Sequence, residues 1–152
     1  MKTFDQPEAK AEILQRLAAL EPNSARVWGK MTAHQAICHL RDSLRAAMGE
    51  RSMTVPPSSG LQKMIMKYGG LYLPMPWPRG TKTSLEADQE LQGTPPAEFV
   101  RDKSELLELA ERVAAHQVRW TDSHALFGKL TEREWQRWTY LHFDHHLRQF
   151  GV

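Results

Sequence analysis

Two short patterns, Thr32-x-x-Gln35 and Thr131-x-x-Glu134, constrain this chain more than anything else in it. In each, the hydroxyl can accept from the backbone N–H three residues on, while the Gln or Glu reaches back to the N–H of the Thr. Two of the donors that a helix start leaves open are then satisfied together. Apolar residues at helical spacing follow both patterns, so both predict a helix start. Met31 sits where a hydrophobic staple would stand before the first of them. That helix is expected to run to about Met48, and the second to Gly151, which stands where a C′ glycine closes a helix. Two further helices are predicted. Over 7–20, Pro7 suits the first helical position, Glu8 suits the positive end of the dipole, and Ala9, Ile13, Leu17 and Leu20 make one stripe. Over 98–118, Phe99, Leu106 and Val113 recur at sevens.

Residues 49–97 cannot be regular throughout. Gly49 and Val55-Pro-Pro-Ser-Ser-Gly60 end the second helix, and Leu61 to Leu71 has room for a short one. Leu73-Pro-Met-Pro-Trp-Pro-Arg-Gly80 then forbids anything regular. A loop this long and this apolar is expected to pack along the helices and cover one end of them. Met64, Met66, Met75 and Trp77 fill core, line a pocket or meet a second copy of the chain. No strand-like alternation, repeat or low-complexity segment occurs. The expected fold is all-α, a four-helix bundle in one domain over 1–152, with a long crossover between helices two and three.

Charge and composition exclude several classes. The net charge is +2 at pI near 8.8, with no run of like charges, so no nucleic-acid partner is expected. The single cysteine, Cys38, precludes an internal disulfide and a thiolate zinc cluster, and reads as a small buried hydrophobe. No apolar leader and no membrane-length apolar stretch appear, which makes a cytoplasmic protein without a membrane partner the expectation.

Candidate chemistry concentrates in the last fourteen residues, which hold three of the seven histidines. His142 and His146, four apart, lie on one helix face and can reach one point. Counted at about 100° per residue from His142, His146 falls at roughly 40°, Trp135 near 20°, Gln149 near −20° and Trp138 near −40°. Arg133, Arg137, Asp144 and Arg148 fall opposite and mark an outside. His142 and His146 then face inward, with Trp135, Trp138 and Gln149 as the wall of a pocket, and His145 on the flank. Two inward histidines need partners, and one shared metal ion satisfies both. On the second helix, His39 sits among Thr32, Ala36, Ser43 and Ala46, while His34, Arg41 and Arg45 point away. His39 is either a satisfied core histidine or a third ligand. Three neutral imidazoles would leave open positions, as catalytic sites do, and suit Zn, Ni, Fe or Cu.

His39-Leu-Arg-Asp-Ser43, followed by His142-x-x-His-His146 and Gln149, resembles the DinB/YfiT-like superfamily of metalloproteins. More narrowly, Trp28-Gly-Lys-Met-Thr32, His124-x-x-Phe-Gly-x-Leu-Thr131, Trp135 and His142-x-x-His-His-Leu-Arg-Gln-Phe-Gly151 resemble a branch of it known as a domain of unknown function. The likeness spans about 7–152 and matches little over 50–97. It implies a four-helix bundle in which His39, His142 and His146 hold a divalent metal, Zn or Ni first. Some members are metal-dependent thiol transferases or isomerases that use a low-molecular-weight thiol such as bacillithiol, mycothiol or glutathione, which a metal would convert to a thiolate. The expected function is a metal-dependent transferase or hydrolase acting on a small molecule. Asp42 fits the superfamily's H-x-x-D and would orient a ligand imidazole or relay a proton; the alternative is a surface pair with Arg45. No thiol-cofactor motif is present in the chain. The alternative function is a non-catalytic binding or stress-response module with structural metal or none. The apolar crossover (Leu71, Tyr72, Leu73, Met75, Trp77) adds the expectation of a homodimer.

Overall fold

The computed structural model describes residues 1–54, 57–81 and 84–152. Val55 and Pro56, part of the break read at 55–60, lie outside the described residues, as do Lys82 and Thr83. The described chain is helical: α1 (Pro7–Ala19), α2 (Ala33–Ala47), α3 (Gly60–Leu71), α4 (Phe99–Ala114) and α5 (Glu132–Gln149), with a 3-10 turn at Leu85–Ala87. Among the described residues the only strand-like pairing is an isolated bridge between His124 and Gly128. No helix there is long and apolar enough to cross a membrane.

Local chemistry sets the helix ends. Thr32 Oγ1 accepts from Gln35 N at 3.1 Å and Gln35 Oε1 from Thr32 N at 2.8 Å. Thr131 and Glu134 close the same box at 3.3 and 2.7 Å, and Ser59 with Gln62 forms a third that opens α3 inside the crossover. α2, α4 and α5 end in Schellman motifs, whose left-handed residues are Gly49 (φ 77°), His116 (φ 56°) and Gly151 (φ 73°). α4 therefore stops at Ala114 and does not reach 118. The backbone N–H groups of His116 and Gln117 turn back onto Val113 O and Arg112 O, which cuts off the last predicted turn.

α5 lies at the centre of the packing, against α1, α2 and α3, while α2 also packs on α4 and on the 3-10 turn. Phe4, Ile13, Leu17, Ile37, Leu40, Leu44, Leu106, Phe143 and Leu147 form the core between them. This placement corrects the facing of three side chains expected to point away, two on α2 and one on α5. Arg41, expected to point away, is 3% exposed and bonds Asp102 Oδ1 at 2.7 Å and Glu105 Oε2 at 2.8 Å on α4. His34 turns to the same Asp102, at 2.7 Å. Arg137 is likewise buried, donating to Leu71 O at the end of α3 and to Lys2 O. On α2 and α5 these polar side chains face neighbours that offer acids or free carbonyls.

Candidate metal centre

His39 comes from the middle of α2, and His142 and His146 from successive turns of α5. Their candidate ligand nitrogens all lie within 4.8 Å of one another. The ring centroids are 5.1 Å (His39–His142), 4.6 Å (His39–His146) and 5.0 Å (His142–His146) apart.

Two of the rings are held in a defined tautomer. His39 Nδ1 lies 2.8 Å from Ala87 O. A carbonyl only accepts, so Nδ1 carries the proton and Nε2 keeps its lone pair toward His142. His146 Nδ1 lies 3.1 Å from Gln149 Oε1, which fixes its Nε2 in the same way. His39 Nε2 and His142 Nε2 are 3.1 Å apart. Nitrogens about 2.0–2.1 Å from one zinc ion stand about 2.9 Å apart at a right angle and about 3.4 Å at the tetrahedral angle, so the observed spacing fits a shared ion. Burial pushes all three histidines below their ordinary pKa, and His142 and His146, where neighbouring imidazoles add to it, furthest. Neutral imidazoles are the form that binds metal.

Outer contacts hold these rings. The 3-10 turn brings the Ala87 carbonyl to His39, and Asp42 anchors the segment behind it. The Asp42 carboxylate, fully buried, accepts from Thr94 N and Thr94 Oγ1 at 2.7 Å each and from Gln89 Nε2 at 3.1 Å, with Arg51 at 3.5 Å. Asp42 thus binds the loop that holds His39 and makes no ion pair with Arg45, which turns to Glu105 at 3.6 Å. Gln149, behind His146, is overlain by Gly29: a Cβ there would come within 2.5 Å of Gln149 Nε2, and φ is +82°. The Trp28-Gly29 turn is therefore pressed onto the end of α5, where Val27 N also donates to Gln149 O at 2.7 Å.

The aromatic surroundings divide in two. Trp138 backs His142 at 5.1 Å, and Trp135 lies one layer deeper, stacked on Trp120 at 5.0 Å. Both are buried. The cavities beside the centre are walled instead by Trp28 and Trp77, with Gln149 lining one of them. Trp77 is 5.9 Å from His142 and donates from Nε1 to Gly70 O at 2.7 Å. His145, placed on the flank by the face count, lines both cavities.

His124 lies past the end of α4, where helical periodicity assigns it nothing. Its ring stacks on Phe127 at 4.7 Å and meets Trp138 at 5.2 Å, so it joins the layer behind His142. Its Nδ1 accepts from Leu126 N and Phe127 N, and burial pushes its pKa down to about 3. Cys38 packs against Asp102, its thiol pushed up to about 12 by burial and the nearby carboxylate, and takes no part in the three-histidine group.

A family model described as "Protein of unknown function (DUF1569)" matches residues 3–151. No curated protein and no solved structure matches the chain.

Proposed function

We propose that this chain, which belongs to the DUF1569 family of proteins of unknown function, holds one divalent metal ion between α2 and α5 through His39, His142 and His146. With that ion it acts on a small molecule, as a metal-dependent transferase or hydrolase. One observation carries the reading: three buried or half-buried histidines converge, the Nδ1 atoms of His39 and His146 are engaged so that Nε2 keeps its lone pair, and His39 Nε2 lies 3.1 Å from His142 Nε2. An all-nitrogen donor set suits Zn or Ni. Bound there, such an ion lowers the pKa of a coordinated water or thiol and supplies a nucleophile at neutral pH.

The chain's own residues do the rest. The Ala87 carbonyl and Gln149 orient two rings, Trp77 and Trp138 shield His142, and the cavity lined by His146 and Gln149 leaves room for a small molecule beside the ion. A low-molecular-weight thiol is the co-substrate suggested by the likeness of the end motifs to DinB/YfiT-like proteins, with α1, α2, α4 and α5 as the bundle and α3 within the crossover. A structural metal is the second reading, and it has its own support: the ion would tie together residues 103 positions apart in the chain.

The test is elemental analysis of protein purified without an affinity tag. About one Zn or Ni per chain is expected, and none in His142→Ala. A wild type that holds no metal even when both are supplied sinks the proposal. If chelation lowers the melting temperature steeply while thiol-transfer and hydrolysis screens stay silent, the structural reading replaces the catalytic one.

A further inference from the structure

Two cavities flank the centre, of about 310 and 320 Å³, at the lower end of the range of small-molecule sites. One reaches His146 and Gln149. The other lies against Trp77, Arg79 and Arg148, and both share Trp28 and His145 as lining residues. Of the residues lining the second cavity, Trp77 lies 5.9 Å from His142 and His145 lies 5.1 Å from His146, ring centroid to ring centroid.

Its lining combines flat apolar walls with unmatched positive charge. The Arg79 guanidinium stands 5.5 Å from the Trp28 ring centroid, and among the described residues it has no carboxylate within ion-pair distance. Arg148 reaches Asp144 Oδ2 only at 3.6 Å, while the other oxygen of Asp144 is held by Arg16 at 2.8 Å. The one acid in the lining is thus shared between two arginines, and the cavity keeps a positive excess. His145 meets Trp28 edge-on at 4.7 Å and lies 6.0 Å from Trp77, so the three rings frame the space. Pro76 and Pro78 on either side of Trp77 restrict its backbone. Guanidinium forks match a planar carboxylate, and indole faces take flat apolar bodies.

The geometry points to a binding site for a flat organic carboxylate in the cavity between Trp28 and Trp77, with Arg79 and Arg148 holding the carboxylate. The substrate or co-substrate of the centre is then an organic acid. This rests on the proposed metal centre for its place in a reaction, but not for the binding itself.

Benzoate, benzamide and inorganic phosphate serve as probes, titrated against intrinsic tryptophan fluorescence. The proteins are zinc-loaded wild type, Arg79→Ala, Arg148→Ala, and metal-free His142→Ala. Benzoate is expected to bind wild type about tenfold or more tighter than benzamide or phosphate, and each arginine replacement to remove about tenfold of that affinity without affecting benzamide. Binding is expected to persist in His142→Ala. The proposal is overturned if benzoate does not bind, or binds no better than benzamide or phosphate. It is also overturned if benzoate binding survives both arginine replacements or vanishes with the metal, since the anion would then sit on the ion. Failure of the metal reading shows separately, as wild type without metal that still binds benzoate.

Discussion

Asp42 braces the surroundings of His39, a candidate ligand to which it makes no hydrogen bond. Its bonds to Thr94 and Gln89 hold the loop that follows the 3-10 turn against α2, and the turn carries the Ala87 carbonyl that orients His39. Asp42→Ala leaves the Thr94 N–H unpaired and frees that loop. Zinc affinity, read by competition with a chromogenic chelator, is expected to fall about tenfold or more, as for other outer contacts of metal ligands. An unchanged affinity would mean that His39 is held by the helix alone. His124 makes a different statement, about acid. Its folded pKa, about 3, lies below the ordinary 6.5, so the unfolded chain takes up a proton in that interval and the folded one does not. The stability it contributes is complete above pH 6.5 and is lost as the pH falls toward 3. His124→Gln keeps an acceptor for the Leu126 and Phe127 N–H groups but does not titrate. Between about pH 6 and pH 4 its unfolding free energy should fall less steeply than that of wild type, by about 1.4 kcal/mol per pH unit. Parallel denaturation profiles would refute this.

At the scale of the elements, helix starts and stops are written in short-range chemistry and helix facings are not. Thr32 with Gln35, Thr131 with Glu134 and Gly151 act within a few residues, so their effect could be read directly. The H-x-x-x-H pair on α5 is legible for the same reason, because its spacing is a property of one helix. Which helix lies opposite is not. Arg41 and Arg137 read as solvent-facing because charge usually is, yet Asp102 and Glu105 on α4, and the free carbonyl at the end of α3, receive them in the interior. The Ala87 carbonyl carries no side-chain signal at all; Trp77, in the apolar crossover, could be read only as core, pocket wall or contact with a second copy, and Trp28, in a loop without periodicity, gave no pattern that marks it as a cavity wall. Burial at Asp102 works against its charge, but the Ala97 N–H, His34 and Arg41 outweigh it and hold its pKa well below the carboxylate range. Arg41→Ala strands that carboxylate inside and should cost about 3–5 kcal/mol in chemical denaturation. A loss under 1 kcal/mol would show that water or His34 replaces the guanidinium.

For the whole molecule, the unusual surface is α3. Leu61, Met64, Ile65, Met66 and Tyr68, with Tyr72, Leu73 and Met75 just beyond, are 46–62% exposed, and Leu71 is the helix's buried residue. Eight large apolar side chains at about half exposure on and just after α3 offer on the order of 800 Å² in sum, comparable to the area each partner contributes to a standard interface. An apolar surface of this size rarely stays in water on a monomer. We propose that a second copy of the chain covers it, since an isologous contact needs only one self-complementary face. The patch also continues into the segment that positions Trp77 beside His142, so self-association would brace one wall of the centre. Sedimentation should show a dimer that Ile65→Glu converts to monomer. The metal content should stay unchanged, because Ile65 points outward and the three histidines lie on α2 and α5. A wild type that sediments as a monomer at every concentration tested would leave this face to some other partner.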